Sequence, residues 1–248
     1  MGSIVTLLTD FGLADSYVAE MKAAILSRAP DVQLVDISHD VPPGDIRAAQ
    51  YLVGRAWHRF PAGTVHLVVV DPGVGSARRA IAVQRQGHFF TGPDNGVLTP
   101  VLGDAETVEL RIPGDASPTF HGRDVFAPAA ARLANGEPLA GLGPGIGNAA
   151  RLPMPVPKRA RGVVEGEVVY VDRFGTLITN IPGEWTPGAK GIEVAGKPVG
   201  PLRRTFADVQ AGAFVGFVGS DGVLEIAVRD GSAARKLGVG VGAEVRVQ

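Results

Sequence analysis

The 248-residue chain contains no cysteine, which excludes disulfides, a cysteine nucleophile and zinc-thiolate centres. Aromatic residues are scarce at 6%. Charge of one sign is not in excess: 24 Lys+Arg face 25 Asp+Glu, a formal net charge of -1, which argues against polyanion or nucleic-acid binding by bulk charge. No apolar run approaches the roughly 20 residues that a membrane span needs. The first ten residues read straight into a strand, without the basic start and cleavage site of a signal peptide. A soluble, cytoplasmic protein without membrane association is the expectation.

What the chain does have is a hydrophobic share of 45% against 20% charged, the balance of a chain that buries a core. The 34 Gly and 19 Pro together exceed a fifth of the residues, so many turns and close backbone approaches are built in.

Two halves read differently. Over residues 1–150, strand and helix patterns alternate. Ile4 to Thr9 is an apolar run ending at Asp10. A helix follows from about Ser16 to Arg28, with Val18, Met21, Ile25 and Leu26 on one face, Asp15 or Ser16 as cap and Pro30 as stop. Val32 to Ile37 is a second strand, and Asp45 can cap a second helix. Thr64 to Val70 ends in Leu-Val-Val-Val, the run of a strand buried on both faces. Ala80–Gln84 and His88–Thr91 suggest a hairpin, and Asp124–Ala134 a last helix. This order predicts an α/β domain with a largely parallel sheet between helices. Residues 151–161, with three prolines and four basic side chains, read as a linker. From 162 to 248 no helix pattern exceeds two turns. Six short strand patterns separated by Gly- and Pro-rich turns predict a smaller all-β, barrel-like domain.

Ligands in open α/β sheets bind beyond the carboxyl ends of the strands. Asp10 and Asp71 stand at two such ends, and either could equally cap the turn that follows. The segment Asp71-Pro-Gly-Val-Gly-Ser-Ala-Arg78 lacks the Lys-Ser/Thr of a P-loop and the glycine fingerprint of a dinucleotide fold. Arg78 is near enough in sequence to fold back on Asp71, as a functional or a structural ion pair. His121 precedes a helix, and Gly92-Pro-Asp94-Asn95-Gly96 is a tight turn signal. No spacing of histidines or carboxylates suggests a metal site. In the β half, Asp172 to Thr176 and Gly219 to Gly222 are glycine-centred turns. Glu225 stands within an apolar strand, where it accepts a hydrogen bond or faces solvent.

In their order and spacing these segments resemble the S-adenosyl-L-methionine (SAM) hydroxide adenosyltransferases, relatives of the SAM-dependent fluorinases and chlorinases. The landmarks span nearly the whole chain. They are Thr9-Asp-Phe-Gly with Asp15, Tyr17 and Met21-Lys22; Asp36-Ile-Ser-His39; Asp71-Pro-Gly-Val-Gly with Arg78; and Gly92-Pro-Asp-Asn-Gly96. They continue with Phe120-His-Gly-Arg-Asp-Val-Phe-Ala-Pro128, Asp172-Arg-Phe-Gly, Thr205-Phe-Ala-Asp208, and Gly219-Ser with Glu225-Ile-Ala.

The resemblance implies hydrolysis of SAM to adenosine and L-methionine, with SAM as substrate and no separate cofactor. It implies a homotrimer with SAM between one subunit's N-terminal domain and a neighbour's C-terminal domain. Asp71, Arg78 and His121 match the group that handles the water. Asp10 matches the aspartate that accepts the ribose hydroxyls, and Asp15 and Tyr17 fall where methionine is held. Asn95, Asp172, Phe174, Thr176, Phe206, Ser220, Glu225 and the backbone at Val228 match positions around the substrate. Thr176 stands where the family has Asn, which alters recognition of the adenine edge. Gly44 replaces an aromatic of the halogenases, and a short hairpin replaces their insertion; both favour hydroxide over halide. The alternatives are a halogenase forming 5′-halo-5′-deoxyadenosine, and a non-catalytic adenosine or SAM binder.

Overall fold

The computed structural model describes residues 2–248, which separate into two compact units, the first ending at Pro153 and the second being Met154–Gln248. Among the described residues no helix is long and apolar enough to cross a membrane.

The first unit is built from β1 (Ile4–Thr9), α1 (Tyr17–Leu26), β2 (Gln33–Ser38), α2 (Ile46–Ala56), β3 (Val65–Val69), β4 (Ala80–Arg85), β5 (His88–Pro93), β6 (Glu106–Leu110) and α3 (Ala127–Ala134). Its six-stranded sheet has the order β2-β1-β3-β5-β4-β6. β1, β2, β3 and β5 pair in parallel, while β4 is antiparallel to both β5 and β6. The sheet is therefore mixed, because the expected hairpin turns the chain back at β4. β3 is buried along its whole length, as its continuous apolar run requires.

α1 buries Val18, Met21 and Ile25, the last two in the core shared with this sheet, but Leu26 is exposed. Neither expected cap forms a bond there. The Ser16 hydroxyl instead donates to Glu20 Oε1 at 2.7 Å. α2 is capped as its sequence predicts, with Asp45 Oδ1 accepting the Ala48 N–H at 2.9 Å. The last helix starts later than predicted. A π-helical turn, Gly122–Phe126, precedes α3, and such turns recur at functional sites.

The second unit holds β7 (Lys158–Ala160), β8 (Val163–Val171), β9 (Leu177–Pro182), β10 (Ile192–Val194), β11 (Lys197–Gly200), β12 (Leu202–Arg203), β13 (Phe214–Val218), β14 (Val223–Val228), α4 (Ala233–Leu237) and β15 (Glu244–Val247). The strands run β11-β10-β15-β8-β9-β14-β13-β12 in one nearly closed sheet, with β7 paired to β8. Two expectations change. Part of the stretch read as linker is strand β7, and the unit carries one short helix, α4, so it is not purely β. Its own core packs Val168, Leu177, Ile181, Ile192, Leu224 and Ile226.

Candidate functional site

β1 and β3 lie side by side in parallel, with Thr9 opposite Val69. Their carboxyl ends therefore deliver Asp10 and Asp71 to the same edge of the sheet. After Asp71 the chain turns through Gly73 and Gly75. Gly75 has φ +77°, and a Cβ there would stand 2.7 Å from the Pro118 carbonyl oxygen, so the tight loop requires glycine. The loop returns Arg78 onto Asp71. Arg78 Nε donates to Asp71 Oδ1 at 3.0 Å, and Arg78 Nη2 donates to Asp71 Oδ2, a two-point fork.

The same Nη2 also donates to His121 Nδ1 at 2.9 Å. His121 caps the π-helical turn, and its side chain is buried. Arginine offers only donors, so Nδ1 must be the accepting nitrogen and the neutral ring carries its proton on Nε2. Burial, then the neighbouring Arg78 guanidinium, holds the His121 imidazole below its ordinary pKa, with Asp71 acting the other way. Arg78 lies over the Phe126 ring, 5.4 Å from its centroid. Its Nη1 is buried and has no protein partner. The structure thus joins Asp71, Arg78 and His121 in one cluster, with a cationic donor to spare.

Asp10 is fixed beside this cluster. Its Oδ2 accepts the Gly44 N–H at 2.8 Å, and Gly44 packs near Pro72, the residue after Asp71. Tyr17 meets Phe11 and Phe120 in an aromatic cluster, with centroids 5.8 and 5.4 Å away. Phe11, Tyr17 and Phe120 line an open depression of about 400 Å³, and Asp15 nearby is exposed. Asn95 faces its own chain. Its amide donates to the Val70 carbonyl at 2.9 Å and accepts the Val97 N–H at 3.1 Å.

In the second unit, Asp172 shapes its own turn. Its Oδ1 accepts the N–H groups of Phe174 and Thr176, at 3.0 and 2.8 Å. The turn leaves Phe174 77% exposed and buries Thr176. Phe206 lies 4.8 Å from Phe217, centroid to centroid. Glu225 pairs across the strands with Phe217, and its carboxylate sits where a side chain at Gly219 would collide with it. Ser220 is exposed on the adjoining turn, and the Val228 carbonyl accepts the Gly231 N–H at 3.1 Å.

Residues 5–143 match the SAM hydroxide adenosyltransferase N-terminal domain, and residues 166–246 match the C-terminal domain of that family. The chain belongs to the SAM hydroxide adenosyltransferase family. It is 44% identical to an (R)-S-adenosyl-L-methionine hydrolase of Thermus thermophilus, covering 98% of both chains. An (R)-S-adenosyl-L-methionine hydrolase of Salinispora tropica is 40% identical, over 98% of this chain and 97% of that one. A fluorinase of Nocardia brasiliensis is 29% identical, over 99% and 96%. A solved structure of a conserved protein from Thermotoga maritima superimposes with a TM-score of 0.92 at 38% identity, covering 98% of this chain and 99% of that one.

In this SAM hydroxide adenosyltransferase family member, three supporting features were not assigned roles from sequence. His39 Nδ1 bonds the Thr9 hydroxyl at 2.8 Å, its carbonyl accepts the Gly12 N–H at 2.8 Å, and its Nε2 lies 3.1 Å from Asp36 Oδ1. This ties down both ends of the turn bearing Asp10. Burial pushes the Asp36 carboxyl up, but hydrogen bonds from Lys22 and His39 more than offset that and hold it below the usual range. Phe11 and Phe120 complete the aromatic cluster with Tyr17. Arg79, partly exposed, pairs with the buried carboxylate of Asp94 next to Arg78, for which the Arg78-Arg79 doublet was the sequence signal. The remaining buried imidazoles, His66 and His88, lie together within strands β3 and β5. Burial and its neighbour push His66 down to about 3, a structural role rather than one in the cluster.

Proposed function

We propose that this protein hydrolyses S-adenosyl-L-methionine to adenosine and L-methionine at the Asp71–Arg78–His121 cluster. The observation that carries the reading is the buried three-residue cluster at the strand ends of a chain 44% identical, end to end, to an (R)-S-adenosyl-L-methionine hydrolase.

The chemistry asks little of the leaving group. The sulfonium already departs well, so the task is to hold and deprotonate one water in a dry site. In the proposed step the water oxygen bonds ribose C5′ while the C5′–S bond breaks. Its electron pair goes to sulfur, which leaves as the neutral thioether of methionine. The water proton passes to Asp71. The bond from Arg78 Nη2 to His121 Nδ1 supports Asp71 over His121 as acceptor, since the His121 lone pair is engaged and its free nitrogen is a donor. Arg78 stays protonated, fixes the Asp71 carboxylate and leaves Nη1 to bind the attacking oxygen. No oxidant or reductant enters the balance, so SAM is substrate and the reaction as written draws on no cofactor.

Asp10 accepts the ribose hydroxyls through the oxygen that Gly44 leaves free, and Tyr17 and Asp15 hold the methionine part. In this reading residues 1–150 form the catalytic α/β domain, and the β domain from 162 to 248 completes the nucleoside site. Phe174, Thr176, Phe206, Ser220, Glu225, Asp172 and the Val228 backbone serve it there. The exposure of Phe174 fits a ring that awaits a partner, while burial of Thr176 makes its backbone the better contact. The working assembly is a homotrimer, and the working compartment is the cytoplasm.

One assay tests the reaction. Incubated with SAM in isotope-labelled water, the protein releases adenosine and methionine in equal amounts, with label at adenosine O5′. A 5′-halogenated nucleoside as main product in chloride or fluoride buffer overturns this in favour of the halogenase. Tight binding without methionine release overturns it in favour of a binding protein.

A further inference from the structure

The loop from Asp71 to Arg78 closes its own short turns, with the Val74 N–H on the Asp71 carbonyl at 3.2 Å and the Ser76 N–H on the Gly73 carbonyl at 3.1 Å, but those bonds leave its two ends to be fixed from outside. Yet Arg78 has to reach Asp71 and His121 together. The neighbouring turn, Gly92 to Gly96, fastens both ends of that loop. At the entry, Asn95 Nδ2 donates to the carbonyl of Val70, the residue before Asp71, at 2.9 Å. At the exit, Asp94 holds Arg79, the residue after Arg78. Arg79 Nε donates to Asp94 Oδ2 at 2.8 Å, and Nη2 stands 2.6 Å from the same oxygen. The Asp94 N–H donates to the Arg79 carbonyl at 2.9 Å, so the exit is held through backbone as well as side chain.

The clamp is itself anchored. Asp94 Oδ1 accepts the Ala150 N–H at 2.6 Å, and Arg79 donates to both the side chain and the carbonyl of Asn148 at 2.8 Å. The Asp94 side chain is only 4% exposed, where a charge-assisted pair is least screened. The end of β5 that leads into the turn sits hard against β3: a Cβ at Gly92 would stand 2.6 Å from the Val68 carbonyl oxygen.

We propose that Asp94 and Asn95 are positioning residues that hold the two ends of the Asp71–Arg78 loop, so that Arg78 bridges Asp71 and His121. The proposal rests on the hydrolase reading above. Neither residue touches the reacting atoms; each acts through the loop. Displacement of a catalytic group by about 1 Å can cost on the order of a hundredfold in rate, so loss of either brace should appear in kcat.

Asn95→Asp keeps the acceptor for the Val97 N–H and removes the donor to Val70, separating the brace from the turn's own bond. Asp94→Asn keeps the shape and removes the charge facing Arg79. In the full-length protein each should lower kcat by about tenfold or more while the KM for SAM moves by less than about threefold. In an Asp71→Asn background, Asn95→Asp should cost less than about twofold further, because the group it positions is already gone. A merely structural role predicts the same fractional loss in both backgrounds, together with a loss of activity that follows the fall in Tm. If wild type releases no methionine, the hydrolase reading fails. If wild type turns over and the folded variants keep kcat within about twofold, or the losses multiply fully, the clamp is overturned. Should Asp94→Asn not fold, Arg79→Lys, which keeps the charge but not the fork, carries the same expectation and the same refutation.

Discussion

At the scale of single residues, the informative contact is the one between Arg78 and His121. A donor-only guanidinium facing Nδ1 fixes the tautomer, and burial beside that cation disfavours a second ring proton. The sign of the pH effect follows. The folded pKa of His121 lies below its ordinary value, so the neutral ring persists as pH falls past 6.5 and is lost only lower down. Protonating Nδ1 would oppose a proton to the Arg78 N–H and break the bridge. The contribution of His121 to the acid limb of kcat/KM should therefore lie below 6.5, and His121→Gln should remove that contribution while lowering the rate. Because misplacing a catalytic group by about 1 Å can cost on the order of a hundredfold, a loss of about that size is expected. A pH–rate profile of both proteins checks it: an acid limb centred above 6.5 would contradict the tautomer assignment.

At the scale of elements, the loop between β3 and β4 depends on one glycine. Gly75 combines φ +77° with a carbonyl, that of Pro118, where its Cβ would go. Gly75→Ala therefore meets strain and a clash together, on the order of 1–3 kcal/mol for such a backbone. The clash pushes toward the segment leading into His121, so a lowered Tm in thermal unfolding should come with a loss of kcat. An unchanged kcat would mean the loop and the His121 turn are not coupled.

The elements that sequence made legible share a feature. Their determinants are local: the apolar period of α1, the unbroken Leu67 to Val70 run of β3, and the Asp45 side chain bonding a backbone N–H three residues on. The ones it hid depend on distant partners. β6, β11 and β12 are two to five residues long and become strands only by pairing. Ser16 looked like a cap until its hydroxyl found Glu20. The cluster itself followed the same rule. Asp71 and Arg78 could be paired from spacing, and His121 was joined to them by family resemblance. The bond from Asn95 to the Val70 carbonyl is not legible in sequence, because its partner is 25 residues away and carries no side-chain signature.

At the scale of the whole molecule, the question is where the second half of the site comes from. Large apolar side chains stand unusually open in both units: Leu13 is 70% exposed and Tyr17 48%, while Phe174 is 77% and Phe206 43%. Rings left this exposed at proposed substrate contacts suit surfaces that meet a partner or a ligand. The trimer proposal makes that partner a second copy, with one chain's Asp71 cluster facing a neighbour's β domain. It predicts complementation. Asp71→Asn disables the first unit, and Ser220→Trp blocks the second by filling the turn proposed to border the nucleoside. Each variant alone should be nearly inactive. Co-expressed in equal amounts, they should form mixed rings in which an intact first unit meets an intact second unit at about one interface in four, restoring roughly a quarter of wild-type kcat. If each site were built within one chain, every site in the mixture would carry one lesion or the other, and no activity would return. Sedimentation of the active fraction at three times the mass of the chain, together with that recovery, would place the site between copies; absence of recovery in a mixed trimer would place it within one.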